Sequence, residues 1–321
     1  MNLKVKKSSL VLLIAISSSV YAQIPGAYVD PAPQPQEVVS IKGVRFVDAL
    51  LNKWIAEYAR EHPDVLLSVA GKDAREHSIE IVQSGNRQDD SLQTQTTVIL
   101  FGKYAILPIA GKDNTLPDEL MKKKLNEKRL KELFFEKDFL AGDGEPDKKK
   151  QYDVTVYSGN DPYSVSHSFA GHFGYETGSL KGKKIAGDDI YLNLAVKKDV
   201  KGISFNRLNY VFNIESRQLS DGISLLPLDV KKEYAEVLNA QNLDETITLL
   251  ENKDIDLIPV EELAFILPEK VNSATLRFLE WALSEGQDYI HPFGFLRLDA
   301  KTLARQQKQI SALETKFLAD K

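Results

Sequence analysis

Residues 276–303 read LRFLEWALSEGQDYIHPFGFLRLDAKTL. Leu276, Leu279, Trp281, Ala282 and Leu283 recur close to helical spacing, Gly286 supplies a helix stop, and Tyr289 to Leu298 turns into an aromatic strand punctuated by Pro292 and Gly294. Helix, stop and strand in succession predict an α/β layer closing at this end of the chain. The matching apolar stripe lies at the other end. In Ile41–Tyr58, IKGVRFVDALLNKWIAEY, the side chains Phe46, Leu50, Leu51, Trp54, Ile55 and Tyr58 form one helical face, and His62-Pro63 ends it.

The wording of both blocks resembles the periplasmic phosphate-binding proteins that serve ABC transporters. In that family a FLxWxLxEGQxYxxxxGFxxL segment completes the first lobe and a GAxxxFxxxLxxKWxxxY segment opens it. Gly43, Phe46, Leu50, Lys53, Trp54 and Tyr58 stand at the family's positions in the opening segment. The resemblance implies an α/β chain with the two-lobed, type II periplasmic binding protein fold, two mixed-sheet lobes joined by two hinge crossings. It places residues 40–107 and 258–321 in lobe 1 and 108–257 in lobe 2.

The first 22 residues carry Lys4, Lys6 and Lys7, an apolar core from Leu10 to Ile16, and Val20-Tyr21-Ala22 as a small-residue cleavage site. The run is too short for a membrane span, so it reads as a signal peptide, with an uncleaved anchor as the alternative. Residues 23–39 carry four prolines and read as a solvated leader. The chain has no cysteine, hence no disulfide and no lipid-accepting thiol. Removing the three lysines of the signal takes the formal charge from −5 to −8. An acidic chain of this kind is not a nucleic-acid binder, and any anion it holds must be held by local dipoles. These properties predict a monomer of the periplasm, not embedded in the membrane once the signal is cleaved.

Between the ends, Val65–Ala70 reads as a strand, Ser78–Gln83 as a short helix or turn, and Thr96–Ala110 as a strand crossing between lobes. Leu116–Leu140 reads as a charged helix, Ala141–Gln151 as a loop, and Tyr152–Tyr157 as a strand. Ser158–Gly174 reads as a turn feeding a helix that buries Val165, Phe169 and Phe173. Strand-like runs follow around LNLAVKKD, GISFNRLNYVFN and GISLLPLD, then a helix at Leu243–Glu251 and a return crossing at Ile258–Leu267. Two crossings imply a hinge closing on a ligand.

A tetrahedral oxyanion in such a cleft calls for helix N-termini, hydroxyls and an Arg. The resemblance implies three helix starts that supply them. At the first, Val44-Arg45-Phe46 replaces the family's Ala-Thr-Phe, and Arg45 either clamps the anion or neutralises Asp48. At the second, Ala74-Arg75-Glu76-His77-Ser78 stands where the family has Gly-Ser-Gly, leaving Arg75 and Ser78 as the candidates and Glu76 as a repulsive neighbour. At the third, Asn160, Ser164, Ser166 and His167 surround the helix opening, where Asp161 or Ser164 serves equally as an ordinary cap. The family's Arg at this third start and its ligand-accepting Asp have no counterpart; Asp89 and Asp90 lie outside the motif.

Other chemistry lacks its spacing. His167 and His172 are five apart, not four, and Asp143, Glu145 and Asp147 run into Lys148–Lys150 without a calcium-loop frame, so no metal site is expected. No nucleophile elbow, phosphate-binding loop or dinucleotide fingerprint appears, which predicts a protein without cofactor or catalytic residues. The resemblance implies capture of phosphate or a related small oxyanion for an ABC permease. The alternative is a fold that has lost its ligand and serves as an envelope scaffold.

Overall fold

A computed structural model describes residues 37–71, 74, 76–83, 97–115, 124–136 and 152–319. The expected signal and the expected leader up to residue 36, Arg75, the loop 141–151, and residues 116–123 and 137–140 of the expected charged helix lie outside the described residues. Nine described strands form one continuous mixed sheet in the order β2-β1-β3-β9-β4-β7-β5-β6, with β8 on β4. They are β1 (Glu37–Lys42), β2 (Val65–Val69), β3 (Ile79–Gln83), β4 (Thr97–Gly111), β5 (Thr155–Gly159), β6 (Lys183–Ile185), β7 (Gly202–Arg207), β8 (Ile223–Leu225) and β9 (Val260–Leu267). The described helices are α1 (Asp48–Glu61), α2 (Glu127–Phe134), α3 (Val165–His172), α4 (Ile190–Lys198), α5 (Leu208–Val211), α6 (Lys232–Ala240), α7 (Leu243–Asn252), α8 (Ser273–Ala282) and α9 (Ala300–Ala319).

Strand β4 organises the sheet. Its 15 residues pair antiparallel with β9 over Thr97–Ala105 and with β7 over Ile106–Ala110, so one strand runs from one half of the sheet into the other. In the first half, β1 lies parallel between β2 and β3; in the second, β5 lies parallel between β6 and β7. A helix must carry the chain back between parallel neighbours, which α1 does after β1 and α3 does after β5. The carboxyl ends of these strands are therefore where helices begin, and where open α/β sheets form their crevices.

The two ends of the chain share one core. Trp54 of α1 donates to the Gly286 carbonyl at 2.8 Å and Trp281 of α8 donates to Glu61 at 3.0 Å. Tyr58 packs edge-on against Phe278 and Trp281, with ring centroids 5.4 and 5.5 Å apart. Asn272 caps α8 by accepting from the Thr275 amide at 2.8 Å. Gly286 is placed less as a helix stop than by contact: a Cβ there would meet the Trp281 carbonyl at 3.1 Å and the Trp54 indole at 3.3 Å.

Several expectations require correction. Tyr289–Leu298 forms no strand: it begins within one 3₁₀ turn, passes through a second at His291–Phe293, and reverses at Gly294 with φ +77°. Only Leu296 reaches β4, exchanging two 2.8 Å backbone bonds with Lys103. Pro292 lacks the N–H that a ladder needs, and Gly294 turns the chain off the sheet. Ser78–Gln83 is not helical; Ile79, Ile81 and Gln83 alternate inward as strand β3. LNLAVKKD is not strand-like but lies in α4, with Leu192, Asn193 and Val196 buried on one face. Strand β1 begins at Glu37, inside the stretch read as leader, and the strand read at Tyr152–Tyr157 runs at Thr155–Gly159.

Candidate functional site

The loops leaving β1, β2, β5 and β6 and the end of β7 enclose a cavity of about 630 Å³. Its walls include Lys42–Phe46 at and beyond the end of β1, Val69 and Ala70 at the end of β2, Asp161–Ser164 after β5, Gly187–Asp189 after β6, and Arg207 and Tyr210. The sheet thus brings the first and third helix starts together although they are more than a hundred residues apart in sequence.

At the first start, a 3₁₀ turn at Arg45–Val47 leads into α1. Val44 and Phe46 are buried, while the Arg45 side chain is 73% exposed and reaches only the Asp188 carboxylate, at 3.6 Å. Asp48 sits on the next turn, where burial, and secondarily Asp188, hold its carboxyl above the usual carboxylate range against the pull of Arg45. Arg45 therefore stands between two carboxylates with its fork in solvent. It is free to exchange a loose ion pair for a ligand.

At the third start, Ser164 caps α3, its Oγ accepting from the Ser166 amide at 3.2 Å. Asp161 shapes the turn before it, accepting from the Tyr163 amide at 2.9 Å. Ser164 Oγ also donates to Asp189 Oδ1 at 2.6 Å, and the Val165 amide donates to Asp189 Oδ2 at 2.8 Å. Arg207 Nη1 completes the set on Asp189 Oδ2 at 2.5 Å. Both members of this pair are buried, with side chains 1% and 5% exposed. Gly159 is required here: a Cβ would fall 2.1 Å from Ser164 Oγ and 3.0 Å from Asp189 Oδ1.

Arg207 also joins the two halves. Its Nη2 donates to Gln83 Oε1 and to the Tyr163 carbonyl, both at 3.2 Å, and its guanidinium lies 3.8 Å from the centre of the Phe46 ring. Its Nε is buried with no hydrogen-bond partner. Gln83 donates to the Tyr163 carbonyl and accepts from Tyr104, whose hydroxyl burial pushes up to about 12 and so keeps protonated. Asn209 donates to the Phe46 carbonyl at 2.9 Å. Tyr210 is raised as well, by burial first and then by Asp188. Five carboxylates and three cations line the cavity, so an anion there gains from individual donors and not from the net field.

Of the residues expected from the sequence, Val44, Arg45, Phe46 and Ser164 line the cavity. Ser166 is fully buried behind Ser164, its Oγ accepting from the Gly159 amide. Ser78 is occupied in the sheet, bonding Ser40 through both its amide and its hydroxyl. Asn160 donates its amide to Ile185, and His167 pairs with Thr177 Oγ1 at 3.0 Å; neither is among the lining residues. Arg75 lies outside the described residues. Asp189 and Arg207 escaped the sequence reading, although a lone Arg closing the apolar run GISFNR signals a buried charge needing a partner. Among the described residues, no group of three His, Asp or Glu side chains is placed to hold a metal ion.

No family model and no curated protein matches the sequence. Solved structures do. The chain superposes on a candidate phosphate ABC transporter substrate-binding protein from Clostridium perfringens, solved with bound phosphate, at 17% identity and a TM-score of 0.52, covering 82% of this chain and 100% of that one. It superposes on an ABC-type phosphate transport receptor from Vibrio cholerae at 10% identity and a TM-score of 0.55, again covering 82% and 100%. The chain has the type II periplasmic binding protein fold.

Proposed function

We propose that this chain is a divergent relative of the phosphate-binding transport receptors and captures a small solute in the cavity between its two sheet halves. The solute presents phosphate or a related oxyanion to Arg45, and an ABC permease receives it. The reading includes periplasmic export by the N-terminal signal, a monomeric binding protein without catalysis, and the lobe boundaries given by the resemblance. The observation that carries it is the cavity of about 630 Å³ at the carboxyl ends of the parallel strands, with Arg45 exposed inside it. That volume falls in the range of sites for small organic ligands, roughly 300–1,000 Å³, so an organic phosphate suits it better than the bare ion. The fold of the two phosphate-transport proteins supports the same reading. Closure would follow from tighter binding in the closed state.

A second reading, an envelope scaffold without a ligand, is favoured by the carboxylate that already fills the third helix start. Calorimetry on ligand-stripped protein with phosphate, sulfate and organic phosphates decides between them. Saturable heat with at least one member supports capture; no heat and no thermal shift across the panel leaves the scaffold.

A further inference from the structure

We infer that Asp189 is a built-in occupant of the anion-binding start of α3, the residue that excludes free oxyanions from it. This goes beyond the capture reading and does not depend on whether a solute binds at Arg45. The donors meeting on Asp189 are a serine hydroxyl at 2.6 Å, the first amide of the helix at 2.8 Å and a guanidinium at 2.5 Å. Hydroxyl, helix-start amide and Arg are the donor types with which proteins hold phosphate or sulfate. Asp189 arrives from another segment, 25 residues beyond Ser164.

Asp189 stands at the N-cap position of α4, yet its carboxylate makes no capping bond to that helix. Both its oxygens serve α3 and Arg207, and the group is buried. Position and direction therefore disagree: a residue selected only to cap would face its own helix. Gly159 leaves the space that this carboxylate and Ser164 occupy, since a Cβ there would overlap Ser164 Oγ and crowd Asp189 Oδ1. The unpartnered, buried Nε of Arg207, in a side chain that lines the cavity, leaves one further donor for an oxyanion once the carboxylate is gone. Asp189 thus sets specificity by subtraction. It confines an incoming anion to the Arg45 side of the cavity, and vacating its position restores an oxyanion site of chemistry Ser164, Val165 N–H and Arg207.

The test uses inorganic phosphate on the full mature chain in an Arg45→Ala background, which removes the contact on which the capture reading rests. Asp189→Ala in that background is expected to gain phosphate binding at least tenfold tighter than the background itself, with a phosphate-dependent rise in melting temperature. Adding Arg207→Met is expected to abolish the gain. A folded Asp189→Ala variant with no gain, or a gain that survives Arg207→Met, overturns the proposal. Should the variant not fold, the Val165 amide resonance of the unmodified protein decides. No shift with millimolar phosphate upholds the filled site, and a saturable shift overturns it.

Discussion

Two helix starts face each other across the cavity, built by the same strand-to-helix transition, and they offer opposite chemistry. At α1 a cation is exposed beside a loose 3.6 Å ion pair. At α3 a stronger set of donors is already consumed by Asp189, buried and bonded three ways. The contrast teaches that a helix start is an anion site only if its donors are unspent. Hydroxyls and amides in the right order, as in Ser164-Val165-Ser166, mark a place where an anion fits without saying whether the protein has supplied its own.

The largest expected effect breaks the filled side. Asp189→Ala strands a guanidinium that is 1% exposed, and removing one partner of such a pair should cost about 3–5 kcal/mol in chemical denaturation. Arg207→Met with Asp189→Leu, which removes both charges, should recover most of that loss. Next is Gly159→Ala, whose methyl overlaps Ser164 Oγ; a destabilisation of about 1–3 kcal/mol is expected from overpacking, again by denaturant titration.

On the open side, Arg45→Ala should leave stability within ~0.5 kcal/mol, because a mostly exposed pair contributes little. It should nevertheless weaken solute binding tenfold or more, in line with about 1.5–3 kcal/mol for a charged hydrogen bond. Unchanged affinity assigns Arg45 to the surface. The smallest effect concerns Asp48, whose carboxyl burial holds above the usual range, with Asp188 adding and Arg45 opposing. A raised folded value means that ionisation of Asp48 penalises the folded state. Asp48→Asn should therefore be the more stable form at neutral pH, and its advantage should fade as pH falls through the carboxylate range. In Arg45→Ala the Asp48 carboxyl, followed by NMR titration, should move higher still.

Much of the fold was legible in the apolar spacing. The stripe from Phe46 to Tyr58 and the run from Thr96 to Ala110 follow the observed α1 and β4 because burial on one face or on both leaves a periodic mark. Tyr289–Leu298 misled because its aromatic residues pack into the joint core without joining a ladder, which composition cannot distinguish. Strand β3 (Ile79–Gln83) was missed because its inward polar residue, Gln83, pairs with Tyr104 and Tyr163 from distant segments. In the site, Val44, Arg45, Phe46 and Ser164 could be named because they lie at helix starts. Asp189 could not be assigned to α3, since its partners are set by tertiary distance and nothing local in the sequence points to them.

The most direct test of the account is a backbone-amide NMR titration of the unmodified, ligand-stripped protein with whichever oxyanion or organic phosphate gives heat in calorimetry. Saturable shifts are expected at the amides of Val44, Arg45 and Phe46 and none at Val165. Shifts at Val165 with none at Val44–Phe46 would contradict it.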